Sequence, residues 1–165
     1  RCYGPTDIMR TPESKIIIGK NVSVVSSSKR CTAGAIYAPT KLRTWSKTSK
    51  IILEDNVGLN GTSITARSKT VKIGSGTMVA PNVTIMDSDF HALWPPDNRA
   101  INPAIENDAD VLIGKNVWIG NQCLIKKGVT IGDNSIIAAG SVVASNIPAN
   151  VLAGGVPAKV IRKLP

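Results

Sequence analysis

The only histidine in the 165-residue chain, His91, stands where a repeating aliphatic ladder calls for its next rung. Imidazole is the side chain whose ordinary titration range spans neutral pH. This position is therefore the first candidate for general acid–base chemistry. Two carboxylates, Asp87 and Asp89, precede it closely enough in sequence for either to hold the ring in one tautomer through a hydrogen bond, and Asp89 is slightly favoured. Asp89 falls at a repeat place that elsewhere takes a small inward residue, and an unpartnered carboxylate buried there would be costly. The chain is thus expected to have left its repeat before His91. One histidine with three scattered cysteines (Cys2, Cys31, Cys123) and no CxxC gives no metal-ligand set and no disulfide framework. Cys123 reads as a small core filler.

The ladder that must position His91 has a period of six. Ile73, Val79 and Ile85 are followed by the break, and then by Ile113, Ile119, Ile125, Ile131, Ile137 and Val143. The fifth place of each unit is small or β-branched, as at Val57, Ser63, Thr77, Val83, Val117, Cys123, Val129, Ser135 and Ser141. Six does not match the 3.6-residue turn of a helix, and the β-branched content is high. Three units make eighteen residues, the spacing of Ile113 and Ile131. The simplest object with that arithmetic is a triangular coil of three short strands, stacked so that like strands pair in parallel. Gly and Asn suit its corners because they tolerate positive φ. The fold class is all-β, a parallel β-helix.

The reading gives one domain over 1–165, with an irregular lead-in at 1–14, coils over 15–148 and a closing segment at 149–165. Such a closing segment is needed because a bare coil end exposes core and strand edges. Ile18 is taken as a rung in register with Leu53. A segment around Ala35–Lys50 is expected to loop out or pack irregularly, and a two-residue bulge is placed near Val71 and Lys72. The long insertion is placed at 91–112; loops of that length are usually functional or disordered, and Trp94, Pro95, Pro96 and Pro103 make this one a stiff arm, which favours function.

Composition narrows the field. Only three Trp, two Tyr and one Phe occur, and no run approaches the roughly 20 apolar residues of a membrane span. No signal-peptide pattern is present, although the chain begins with Arg1 rather than Met, which leaves room for an initial segment outside it. A soluble, cytoplasmic bacterial protein is expected. The net charge of +9 is uneven: residues 14–86 hold eleven Lys or Arg against Glu54 and Asp55, whereas 87–110 hold six acids against Arg99. A basic face attracts a nucleic acid, a polyanionic glycan or a phosphate-bearing cofactor, and equally serves as a solvated surface.

The hexads, Ala80-Pro-Asn-Val-Thr, Asp87-Ser-Asp-Phe-His, Asn116-Val-Trp-Ile-Gly and Gly155-Val-Pro-Ala-Lys together resemble the hexapeptide-repeat acyltransferases, in particular bacterial sugar and polysaccharide O-acetyltransferases. The resemblance covers about residues 50–163. It implies a left-handed coil, an exception to the right-handed crossover rule. It also implies a homotrimer, acetyl-CoA as co-substrate in clefts between subunits, no metal, no nucleic acid, and a glycan or other hydroxyl acceptor. In that frame His91 is the general base, worth roughly 10² to 10⁴ in rate. Trp118 points outward by strand alternation and borders the acceptor and acyl group. Asn82, at a corner one coil earlier, touches the acceptor, with Trp94 as a further aromatic contact. Gly120, Asn121, Ala138, Ala139 and Ala144 leave room for the pantetheine arm, and Lys159, Arg162 and Lys163 face the CoA phosphates. Many relatives carry Ser at the place of Asn121 and Thr at that of Ala144. The N-terminal residues lack the helical cap of maltose and galactoside acetyltransferases, which with the basic early coils favours an acidic capsular or surface glycan. An N-acetyltransferase of antibiotics or amino sugars, and a non-enzymatic binding scaffold, remain open at this stage.

Overall fold

Short β-rich segments separated by Asn- and Gly-bearing corners can bury one residue in two only by stacking, and the chain does so. The computed structural model describes residues 1–165. Coil 1 comprises β1 (Cys2–Tyr3), β2 (Asp7–Met9) and β3 (Lys15–Ile18). Coil 2 comprises β4 (Ser23–Val25), β5 (Lys41–Thr44) and β6 (Lys50–Leu53). Coil 3 has β7 (Gly58–Asn60), β8 (Ser63–Ala66) and β9 (Thr70–Ile73). Coil 4 has β10 (Met78–Val79), β11 (Thr84–Met86) and β12 (Val111–Ile113). Coil 5 has β13 (Trp118–Ile119), β14 (Leu124–Ile125) and β15 (Thr130–Ile131), and coil 6 has β16 (Ile136–Ile137) and β17 (Val142–Val143). A hairpin of β18 (Val151–Gly155) and β19 (Ala158–Lys163) follows.

Through β17 every third strand pairs in parallel, giving three faces; β18 joins the first in parallel with β16, and β19 pairs antiparallel with β18. The first runs β1-β4-β7-β10-β13-β16-β18-β19, the second β2-β5-β8-β11-β14-β17 and the third β3-β6-β9-β12-β15. This is a left-handed parallel β-helix. The ladder residues form its interior column: Leu59, Val79, Ile119 and Ile137 from the first face, and Leu42, Ile64, Ile85, Ile125 and Val143 from the second, are all 0% exposed. Each such side chain contributes roughly 1.5–3 kcal/mol of burial. At the corner between the third and first faces Asn21, Asn56, Asn116, Asn134 and Asn150 adopt φ of 53–61°. Their amides link coil to coil, Asn116 donating to Asn134 at 3.3 Å and Asn134 to Asn150 at 2.9 Å. Gly76 interrupts this ladder because a Cβ there would meet the Asn116 Oδ1 at 2.5 Å.

Four sequence expectations need correction, and one register holds. Residues 1–14 are not irregular: β1 pairs with β4 and β2 with β5, so they build the first coil. Ile18 pairs with Leu53 as expected, and lies 48% exposed on the outer side of coil 1. The segment that loops out is 26–40, not Ala35–Lys50, since Leu42 and Thr44 of β5 already face inward. Val71 and Lys72 lie in regular register with Val111 and Leu112. The slip falls earlier: Thr62 rather than Ser63 is fully buried beside Gly61, and the extra residues lie at the corner Arg67–Lys69. The long insertion occupies 87–110, because Met86 still pairs with Thr65 and Val111 already pairs with Val71. The hairpin places Val151, Ala153 and Ala158 against the last coil. No helix is long and apolar enough to cross a membrane.

Candidate active site

The insertion leaves coil 4 at the corner between the second and third faces and folds back along that corner. Asp87 starts it. The side chain is 0% exposed and accepts from the backbone N–H groups of Arg67 (2.7 Å), Ser68 (3.0 Å) and Lys69 (2.8 Å), the corner one coil below. Asp108 ends it, buried against Arg67: Nε and Nη2 donate to its two oxygens at 2.9 and 2.7 Å, and Ser68 Oγ adds a third bond at 2.6 Å. Burial of Asp108 pushes its carboxyl up, but the bonds from Arg67, Ser68 and Ser88 outweigh this and hold it below the ordinary carboxylate range. Asp89 turns the other way, to Lys127 Nζ at 2.8 Å and Lys126 Nζ at 3.5 Å. The Lys127 bond is the main cause of its lowered pKa.

The expectation that an aspartate orients the imidazole is therefore not met: both carboxylates are fully engaged in tying the arm to the coils. His91 Nδ1 instead lies 2.9 Å from the backbone carbonyl of Arg99. A carbonyl only accepts, so Nδ1 donates this bond, and in the neutral ring Nε2 is the nitrogen that bears the lone pair. Arg99 is braced in turn, its guanidinium donating to the carbonyls of Leu93 at 3.0 Å and Ala92 at 3.4 Å. Just before the histidine, Phe90 adopts φ of 66°, a left-handed conformation that costs a bulky residue about 1–2 kcal/mol. Arg67 Nη1 holds the Phe90 carbonyl at 3.0 Å, and the ring meets Trp45 edge-on at 6.3 Å. This turn sends the imidazole outward.

His91 borders two cavities. One, of about 330 Å³, lies within the arm and includes Asp89, Trp94, Asn107 and Lys127. The other, of about 570 Å³, lies between the arm and coil 2, with Trp45, Lys47, Thr48, Arg67 and Ile105 on its wall. Trp118 is 51% exposed, as alternation requires, but it borders a different cavity on the first face with Met78, Ala80 and Cys31. Within one chain, then, His91 and Trp94 come together and Trp118 stands apart.

Asn82 and Asn121 bond to a loop of the same chain. The loop 26–40 lies over their corner: Asn82 accepts from Tyr37 N and donates to Ala35 O, both at 2.9 Å, and Asn121 donates to Ala33 O at 3.3 Å. Both amides therefore anchor this loop. Gly120 brings coils 5 and 6 close, since a Cβ there would lie 2.6 Å from Ala139 N. Gly120, Asn121, Ala138 and Ala139 share one corner, whereas Ala144 follows β17 at another. Lys159, Arg162 and Lys163 lie exposed on β19, the edge strand of the first face.

Sequence reasoning missed Trp45, Arg67, Asp108 and Arg99. The strict alternation Lys41-Leu-Arg-Thr before Trp45 was a usable strand signal. The charge reversal between 14–86 and 87–110 foreshadowed Arg67–Asp108, although not the pairing itself.

Comparison with known proteins places this geometry. Residues 110–145 match the family described as bacterial transferase hexapeptide, six repeats. A galactoside O-acetyltransferase of Escherichia coli K12 is 44% identical over 95 residues, 58% of this chain and 45% of that protein. The galactoside O-acetyltransferase of Lactococcus lactis is 42% identical over 92 residues, 56% and 42% of the two chains. The solved structure of a galactoside acetyltransferase in complex with coenzyme A superposes with a TM-score of 0.60 at 30% identity, over 93% of this chain and 66% of that one. A polysialic acid O-acetyltransferase, OatWY, shares the fold alone, at 21% identity and a TM-score of 0.62 over 98% and 87%. The chain spans about half the length of the curated relatives it matches. From the six-residue ladder through the arm that bears His91 to these relatives, the chain belongs to the hexapeptide-repeat acyltransferase family.

Proposed function

We propose that the protein is an acetyl-CoA-dependent O-acetyltransferase acting on a hydroxyl of a sugar or polysaccharide, with His91 as general base. The observation that carries this reading is the Arg99 carbonyl on His91 Nδ1, which leaves Nε2 as the nitrogen able to take a proton beside a cavity. In the proposed step Nε2 removes the acceptor hydroxyl proton as that oxygen attacks the thioester carbonyl. The tetrahedral intermediate collapses by breaking the C–S bond, and the departing CoA thiolate recovers the proton from the imidazolium. No cysteine borders the His91 cavities, which supports direct transfer without a covalent acyl-enzyme.

The donor would lie between subunits of a homotrimer. Two features support this: the arm carries Leu93, Trp94 and Ile101 at 73%, 78% and 80% exposure, and Trp118 stands outward on another face of the same chain. A second copy would bring a Trp118 indole to the His91 of its neighbour, where its N–H can stabilise the oxyanion. Gly120, Ala138 and Ala139 would accommodate the pantetheine arm, with Lys159, Arg162 and Lys163 near the phosphates. Dependence on acetyl-CoA fits a bacterial cytoplasmic location. The excess of unpaired cations on the early coils favours an acidic glycan as acceptor.

The test is release of free CoA thiol from acetyl-CoA across a panel of neutral glycans, acidic glycans and amine acceptors. Release with hydroxyl acceptors supports the reading. Release with amines only would make the protein an N-acetyltransferase, and absence of both release and CoA binding would leave a scaffold.

A further inference from the structure

The cavity beside His91 continues past its own site. We propose that Trp45, with Arg10, Arg43 and Lys47 around it, forms a second acceptor subsite that takes an anionic sugar residue adjoining the one acetylated. The proposal rests on the O-acetyltransferase reading of His91.

Trp45 begins the corner that follows β5. The inward alternation of Leu42 and Thr44 throws the indole outward, where it is 49% exposed. It lines the 570 Å³ cavity together with His91 and Lys47, and it also lines a recess of about 130 Å³ that holds Arg10 and Arg43. The indole is thus the wall common to both spaces, and an extended chain that runs from His91 toward coil 1 passes over it. The Arg43 guanidinium sits 3.9 Å from the ring centroid, a cation–π contact that keeps its fork beside the indole without consuming its N–H donors.

None of the charges there is in an ion pair, and the one hydrogen bond among them is from Arg10 Nη1 to the Ser14 carbonyl at 2.9 Å. The chain's ion pairs involve Arg67, Lys72, Lys126 and Lys127, and none involves Arg10, Arg43 or Lys47. Glu13, on the neighbouring corner of coil 1, pairs with none of them either. Like charges left close together without partners repel, so they lower the stability of the free protein and favour an anionic ligand. An indole offers its electron-rich face to sugar C–H groups, while a guanidinium fork matches a carboxylate in two parallel hydrogen bonds. Both elements side by side, on a path that begins at the proposed base, suit a carboxylated oligosaccharide. Single-stranded nucleic acid also stacks on Trp between cations, but nothing in that ligand places a hydroxyl at His91 as directly, and it serves as the competing arm of the test.

Binding is measured by calorimetry without acetyl-CoA, using a tetrasaccharide of galacturonic acid, a neutral tetrasaccharide and a single-stranded DNA oligonucleotide, at low and at physiological salt. The acidic tetrasaccharide should bind about tenfold or more tightly than the neutral one, and less so in salt. Arg10→Gln with Arg43→Gln should remove that preference. Arg43→Lys, which keeps the charge but loses the fork, should retain the salt dependence. Lys20→Gln with Lys115→Gln, a charge-matched pair at another corner, should change nothing. Trp45→Ala should weaken both sugars, and Trp45→Tyr should restore most of the loss; thermal melts confirm that each variant is folded. Equal binding of the acidic sugar to wild type and to the Arg10/Arg43 variant overturns the subsite, as does tighter binding of the oligonucleotide than of the acidic sugar. If the acidic sugar binds as expected but no acceptor releases CoA thiol, the subsite stands and the acetyl-transfer reading fails.

Discussion

Replacing Arg67 by Met should free the arm that carries His91. Arg67 is 7% exposed and makes three bonds into the insertion, two to Asp108 and one to the Phe90 carbonyl. The variant leaves the Asp108 carboxylate, itself 6% exposed, with Ser68 and Ser88 as its remaining neutral partners. Removing one member of a buried ion pair typically costs about 3–5 kcal/mol, because the other charge stays desolvated. For a chain of this size that corresponds to a fall in Tm of roughly 10 °C if the loss is global. If the arm opens locally, the cost appears as faster amide exchange confined to residues 87–110. Either way Phe90 is free to leave its left-handed conformation, and the adjacent imidazole loses its fixed direction, so acetyl transfer should fall more than stability alone explains. Melting, hydrogen exchange and thiol release together read the outcome. Arg67→Met combined with Asp108→Asn should lose less than the sum of the single variants, since no buried charge is then left unpaired. Wild-type melting with wild-type exchange over 87–110 in Arg67→Met would refute the reasoning.

Other expectations follow from the same contacts. Folding favours the ionised form of Asp108, because its pKa lies below the ordinary value. Its contribution is therefore intact above the usual carboxylate range, about pH 4, and is lost as pH falls through the depressed value; the acid limb of a Tm–pH curve should be shallower in the Arg67→Met/Asp108→Asn double variant. Asn82→Ala removes two bonds to the loop 26–40 and puts Cβ without a polar tip at φ of 62°, so it should cost about 2 kcal/mol and expose residues 31–38 to limited proteolysis. Asn82→Gly should keep the backbone yet still loosen the loop. Gly120→Ala should lower Tm by several degrees, since its Cβ would lie 2.6 Å from a backbone nitrogen of the next coil.

Much of the coil was readable because its determinants are local. A strict six-residue spacing at Ile113, Ile119, Ile125 and Ile131 leaves few ways to bury every rung, and all four are within 2% of full burial. The same reading strayed where the corners change length. Gly61 shortens one corner and Arg67–Lys69 lengthens the next, so the inward residue becomes Thr62 instead of Ser63 without any break in composition. Coil 1 was hidden for a related reason: its outer rungs Ile8 and Ile18 pair with a coil on one side only, and Gly4, Pro5 and Pro12 mask the strands between them. At the site, His91 was legible as the break itself. The partners of the arm were not, because Asp108 meets Arg67 across 41 positions and the imidazole is oriented by a backbone carbonyl, which no side-chain motif records. Asn82 and Asn121 show the converse case: their motifs were seen, but not that a loop from coil 2 bonds to their amides.

The central claim is that Nε2 of His91 takes the acceptor proton. His91 is exposed, so His91→Gln should fold and melt as the wild type does. With acetyl-CoA and a hydroxyl acceptor saturating, thiol release by that variant should fall by roughly 10² to 10⁴ in kcat. Turnover by folded His91→Gln at the wild-type rate would contradict it.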